Sequence, residues 1–112
     1  MQGKLHILSL CATGAPKQLC FVSSTSALDT PHFVKLSQAG NEVSEDDELS
    51  GSPTGLGTGY GQSKLVAEYL VREAGSRGLC GTIIRPGYVT GDKISNVMNT
   101  DGFLIRVVKG CI

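Results

Sequence analysis

Net charge is the first thing this sequence lacks. Its 112 residues carry ten basic and ten acidic side chains. A balanced charge offers no field for a polyanion, so neither nucleic acid nor an anionic membrane is expected as a partner. No run of about 18 apolar residues occurs, so no membrane-spanning helix is expected. Met1-Gln2-Gly3-Lys4-Leu5-His6 has no long apolar core followed by a small-residue cleavage site, so no secretory leader is expected. Cys11, Cys20, Cys80 and Cys111 form no CxxC, and their spacing is unlike that of zinc ligands. They read as reduced, mostly buried thiols of a cytoplasmic protein. His6 and His32 stand far apart with no carboxylate at ligand spacing, so no metal site is expected. Internal repeats and low-complexity segments are also missing.

What is present is globular: 40% of residues are apolar and 18% charged. The length fits one small domain or a piece of a larger one. Leu5, Ile7, Leu8, Leu10, Cys11 and Ala12 read as a helix stopping near Gly14 and Pro16. Gln18-Leu19-Cys20-Phe21-Val22 reads as a buried parallel strand, ending in the hydroxyl-rich Ser23-Ser24-Thr25-Ser26. Residues 29–57 read as a long irregular stretch, with Glu42, Glu45, Asp46, Asp47 and Glu48 as a negative, solvated patch. Gly51 to Gly57 add turn chemistry, and a loop this long usually serves a site.

From Tyr60 the period becomes helical. Leu65, Val66, Tyr69 and Leu70 line one face and Glu68, Arg72 and Glu73 another. Gly75 and Gly78 mark the end. Cys80-Gly81-Thr82-Ile83-Ile84 is a second buried-strand candidate, closed by Arg85-Pro86-Gly87, because proline cannot donate to a ladder. Phe103 to Val108 reads as a short amphipathic helix. Helix, strand, loop, helix, strand is an α/β order with parallel pairing. Two parallel strands cannot cover two faces and also bury their edges. The chain therefore reads as the later, incomplete part of a doubly wound domain.

Three features carry chemistry. Tyr60 and Lys64 are one helical turn apart and share a face. An ammonium beside a phenol favours the phenolate, and a phenol tuned that way can pass a proton to a carbonyl oxygen near neutral pH. Taken alone, the pair reads more readily as a partly buried aromatic beside a solvated lysine than as chemistry. The hydroxyls of Ser23, Ser24 and Thr25 would emerge at the carboxyl end of the sheet, where open α/β domains place ligands. Read blandly, they are a polar strand end with a local turn. Arg85-Pro86-Gly87 could lay backbone against a flat ring, or be a plain turn. Cys20 has no His and Asn/Asp constellation to make it a nucleophile. Arg106 reads as a helix-surface residue rather than an anion contact.

In this order, "FVSSTSALD" (Phe21 to Asp29), "YGQSK" (Tyr60 to Lys64) and "RPGYVTGD" (Arg85 to Asp92) resemble the extended short-chain dehydrogenase/reductase superfamily. Thr54 to Leu79 and Asn99 to Ile112 are similar to the terminal reductase domains of the fungal aminoadipate reductase family, kin to the thioester reductases of peptide synthetases and to carboxylic acid reductases. The resemblance implies a Rossmann-like fold and an NADPH-dependent reduction. Tyr60 would protonate the developing alkoxide. Lys64 would hold the nicotinamide ribose and assist Tyr60. Ser24 would be the catalytic hydroxyl, with Thr25 and Ser23 as rivals. Ser23, Lys64, Pro86, Gly87 and Val89 would contact the cofactor. The substrate would be an aminoadipyl thioester on the phosphopantetheine of a carrier domain, released as 2-aminoadipate 6-semialdehyde in lysine biosynthesis. Residues 1–112 would be a partial reductase domain, without the Gly-rich phosphate-binding turn and inactive alone. Departures from the family pattern fall at Gly3-Lys4, Lys93-Ile94-Ser95-Asn96 and Gly102. Two other readings are a non-catalytic remnant or interaction module, and a sugar epimerase or dehydratase of the extended superfamily. The contexts "GLGTGYGQSK" and "RPGYVTGD" speak against the latter.

Overall fold

Parallel pairing of two short strands organises the computed structural model, which describes residues 2–50, 52, 54–95 and 97–111. Gly51 and Pro53 of the expected turn, and Asn96 of the divergent tetrapeptide, lie outside the described residues. Helix α1 spans Gln2–Ala12, followed by strand β1 (Leu19–Val22) and a 3-10 turn (Thr25–Leu28). Helices α2 (Pro31–Gln38) and α3 (Gly59–Ser76), strand β2 (Gly81–Ile84) and helix α4 (Phe103–Gly110) complete the order. The chain stops being helical after α1 where Gly14 takes a positive φ of 74°, open to a residue without Cβ. Lys17 Nζ donates to the Thr13 carbonyl at 2.6 Å, occupying an acceptor left over beyond the helix end.

β1 and β2 pair in parallel, Leu19 opposite Gly81 and Val22 opposite Ile84, as the α/β order requires. Both carboxyl ends therefore lie at one edge of the sheet. Pairing continues past the strands: Ser23 N–H donates to the Ile84 carbonyl at 2.7 Å and Thr25 N–H to that of Pro86 at 3.4 Å. Side chains alternate across the pleat. Phe21 faces α1 and α3, since the ammonium groups of Lys4 and Lys64 both approach its ring. A Cβ on Gly81 would come within 3.2 Å of Val71 on α3, so glycine there lets helix and strand approach closely.

The described structure corrects four expectations. The strands are not buried: Val22 and Ile84 are about half exposed on the face turned away from α3, because nothing among the described residues covers that face. The cysteines are not mostly buried: Cys20, Cys80 and Cys111 are exposed and Cys11 is intermediate. Residues 29–57 are not irregular throughout, since α2 forms within them. Thr30 caps it by accepting from Phe33 N–H, and Pro31 supplies a ready-made first helical φ. On α3, Leu65 is buried and Glu73 exposed as expected, but Val66 is exposed while Glu68 is completely buried, these two the reverse of expectation.

The apolar core sits beside the sheet rather than on it. Ala27, Phe33, Leu49, Leu56 and Leu65 form it, gathering the 3-10 turn, α2, the following loop and α3. Leu49 is fully buried with a φ of 58°, a conformation costly for a branched side chain. Tyr69 Oη donates to the Leu49 carbonyl at 2.9 Å and holds it there.

Candidate active site

Tyr60 is placed by the way α3 begins. Thr58 is the N-cap, its Oγ1 accepting from Gly61 N–H at 3.1 Å. A Cβ on Gly61 would lie 2.6 Å from the Ser26 carbonyl oxygen. Only glycine lets the first turn of α3 rest against the 3-10 turn, and this brings Tyr60 beside the end of β1. Tyr60 is 56% exposed, accessible to a ligand.

An open cleft of about 1120 Å³ lies at the carboxyl edge of the sheet. Ser24, Thr25, Tyr60, Gly87 and Val89 line it together, while Ser23, Lys64 and Pro86 do not. The 3-10 turn and α2 form one wall. The segment after β2 and the start of α4 contribute another, tied together by Tyr88 and Phe103, whose rings stack with centroids 6.0 Å apart.

Lys64 stands behind the cleft. Its Nζ donates to the Val22 carbonyl at 2.9 Å and lies 5.5 Å from the centre of the Tyr60 ring and 5.4 Å from that of Phe21. The cation is thus pinned at the end of β1 and drawn to two aromatic faces. Ser24 is the N-cap of the 3-10 turn, its Oγ accepting from Ser26 N–H at 3.2 Å. Ser23 points elsewhere: it is buried and donates its hydroxyl hydrogen to Glu68.

Glu68 was missed by the sequence reading. Its fully buried carboxylate accepts from Ser23 and from Arg85, whose Nε reaches Oε1 at 3.0 Å and whose Nη2 reaches Oε2 at 2.8 Å. The Arg85 side chain is itself only 16% exposed. A forked guanidinium–carboxylate pair fixes direction as well as distance. One side chain on α3 therefore locks the ends of both strands, next to Ser24 and next to Pro86-Gly87. A signal was available: Glu68 lies three residues after Leu65 and three before Val71, inside the buried stripe.

Farther along, Asp92 accepts from both the hydroxyl and the amide of Ser95, each at 2.6 Å. The Ser95 hydroxyl, then its amide, hold the Asp92 carboxyl below its ordinary range. Gly91 packs here without a Cβ, which would sit 2.8 Å from Met98. Among the described residues no group of three or more His, Cys, Asp or Glu side chains could hold a metal ion, and no helix is long and apolar enough to cross a membrane.

The family model described as Male sterility protein, an NAD-binding family, matches residues 1–112. The L-2-aminoadipate reductase large subunit of Penicillium chrysogenum is 57% identical over 117 residues, covering 100% of this chain and 8% of that protein. The L-2-aminoadipate reductase of Schizosaccharomyces pombe is 54% identical over 117 residues, again 100% of this chain and 8% of the relative. The nonribosomal peptide synthetase asaC of Aspergillus flavus is 33% identical over 112 residues, 98% of this chain and 11% of that protein. The chain thus spans about a twelfth of the length of its most similar fungal relatives named here. No solved structure matches it. With a parallel α/β edge, a hydroxyl-lined cleft and a family match over its whole length, the chain belongs to the Male sterility protein family of NAD-binding domains.

Proposed function

We propose that this chain is the catalytic part of an NADPH-dependent thioester reductase acting on a carrier-bound aminoadipyl group. The observation that carries the reading is the shared cleft of Tyr60, Ser24, Thr25, Gly87 and Val89, set beside a lysine held at the strand end. The residues fit the nicotinamide end of a dinucleotide. A Cβ at Gly87 would meet nothing within 4 Å, so a flat ring has room against the backbone there. Lys64 spends one donor on Val22, and an ammonium has three, which leaves donors for ribose hydroxyls. Pro86 and Val89 flank Gly87. Ser23, occupied by Glu68, supports the strand end rather than the ring.

NADPH, when bound, supplies the hydride. The chain's own residues handle the oxygen and its proton. Ser24, with Thr25 as its rival, donates a hydrogen bond to the thioester carbonyl oxygen. Tyr60 gives that oxygen a proton as its charge develops, and Lys64 favours the phenolate left behind. The tetrahedral adduct then loses the pantetheine thiol and leaves the aldehyde. Overall, thioester, NADPH and a proton become aldehyde, thiol and NADP⁺.

The test uses the full-length protein carrying these residues, with NADPH and the pantetheine thioester of 2-aminoadipate. The expected result is one NADPH oxidised and one thiol released per aldehyde formed. Thiol release without NADPH oxidation, or no turnover, would overturn the reading.

A further inference from the structure

The cleft has one charged side chain in its wall among the described residues, Asp29. Its backbone sits in a tight turn, with the side chain exposed to the cleft. With φ −78° and ψ 64°, and Thr30 N–H donating to the Leu28 carbonyl at 2.8 Å, Asp29 is the centre of an inverse γ-turn. Both flanks are anchored. Ala27 and Thr30 are buried, and the Ala27 carbonyl accepts from the buried Ser52 hydroxyl at 3.1 Å. The Asp29 carboxylate itself accepts no hydrogen bond and joins no ion pair among the described residues. The acidic residues of the 42–48 loop do not line the cleft. Asp29 therefore stands in an otherwise uncharged wall beside Leu28, Phe33 and Val34, where a carboxylate keeps its full capacity to accept from a cation.

We propose that Asp29 recognises a cationic ammonium group on the acyl chain of the substrate, and so sets which thioesters are reduced. This rests on the thioester reading above. Asp29 lies five positions after Ser24, and a 3-10 rise of about 2 Å per residue places them about 10 Å apart along the backbone. An acyl chain with its ammonium several bonds from the carbonyl, plus a hydrogen bond of about 2.9 Å at each end, bridges that span. The carbonyl then sits at Ser24 and Tyr60 while the ammonium meets Asp29.

The experiment compares two substrates on the full-length reductase and its Asp29→Asn variant: the pantetheine thioesters of 2-aminoadipate and of adipate, which lacks the ammonium. Asp29→Asn is expected to lower kcat/KM for the aminoadipyl thioester by about 10- to 100-fold, the scale of a hydrogen bond to a charged group. The adipyl thioester should change little. The ratio of the two cancels any loss of folded enzyme, and Asp29→Glu should retain part of the discrimination. Equal losses on both thioesters, or a raised KM for NADPH with the ratio unchanged, would overturn the role of Asp29. Failure of the unaltered enzyme to reduce either thioester would instead refute the thioester reading.

Discussion

At the scale of single residues, Glu68 matters most to the shape of the cleft. A buried carboxylate is costly unless its lone pairs are filled, and here Ser23 and both reaching nitrogens of Arg85 fill them. Removing one partner of a buried pair leaves the other charge stranded. Glu68→Ala should therefore destabilise the full-length protein by about 3–5 kcal/mol, read by denaturant unfolding. A loss below about 1 kcal/mol would show that Arg85 finds water instead. The sequence reading placed Tyr60, Lys64, Ser24 and Gly87 on the right elements, because one-turn spacing and strand ends are local properties. Glu68 was misread because a carboxylate's partners come from distant segments, and neither Ser23 nor Arg85 advertises the pairing.

At the scale of elements, the helices α1, α3 and α4 and both strands were legible within a few residues. Their apolar periods are long enough to register, and Gly14, Gly78 and Pro86 punctuate them. α2 was hidden by its length: eight residues show barely two turns of period. Thr30 and Pro31 were readable as a helix start, but the helix also depends on Phe33 entering a core built from Leu49 and Leu56 of the loop. Those loop residues have no period at all. The strand burial was overestimated for another reason. Cys20, Val22, Thr82 and Ile84 form the sheet face away from α3, and that face is bare among the described residues. A doubly wound sheet carries helices on both faces, so Ile84 should be covered in the full-length protein. Ile84→Asn is then expected to cost more than about 2 kcal/mol there. A change within about 0.5 kcal/mol, as for an exposed position, would contradict a covered face.

At the scale of the whole molecule, the chain is too open to be self-sufficient. Its radius of gyration is 16.6 Å, against roughly 13 Å for a compact domain of this length. It exposes 8200 Å², where a folded monomer of this size exposes about 5900 Å². The excess is partly apolar, on α1, α4 and the outer sheet face, and bare strand edges invite association. The 112-residue chain alone should therefore aggregate or melt broadly and show no NADPH-dependent reduction. A sharp two-state melt of a soluble monomer would count against this.

The central claim is that Tyr60 delivers the proton in the cleft it shares with Ser24 and Gly87. Its most direct test is single-turnover reduction of the aminoadipyl thioester by the full-length reductase carrying Tyr60→Phe, with NADPH saturating. General acid catalysis contributes about 10²–10⁴-fold, so the account predicts a rate loss in that range, with NADPH affinity and thermal stability nearly unchanged. Aldehyde formation at close to the unaltered rate would contradict it.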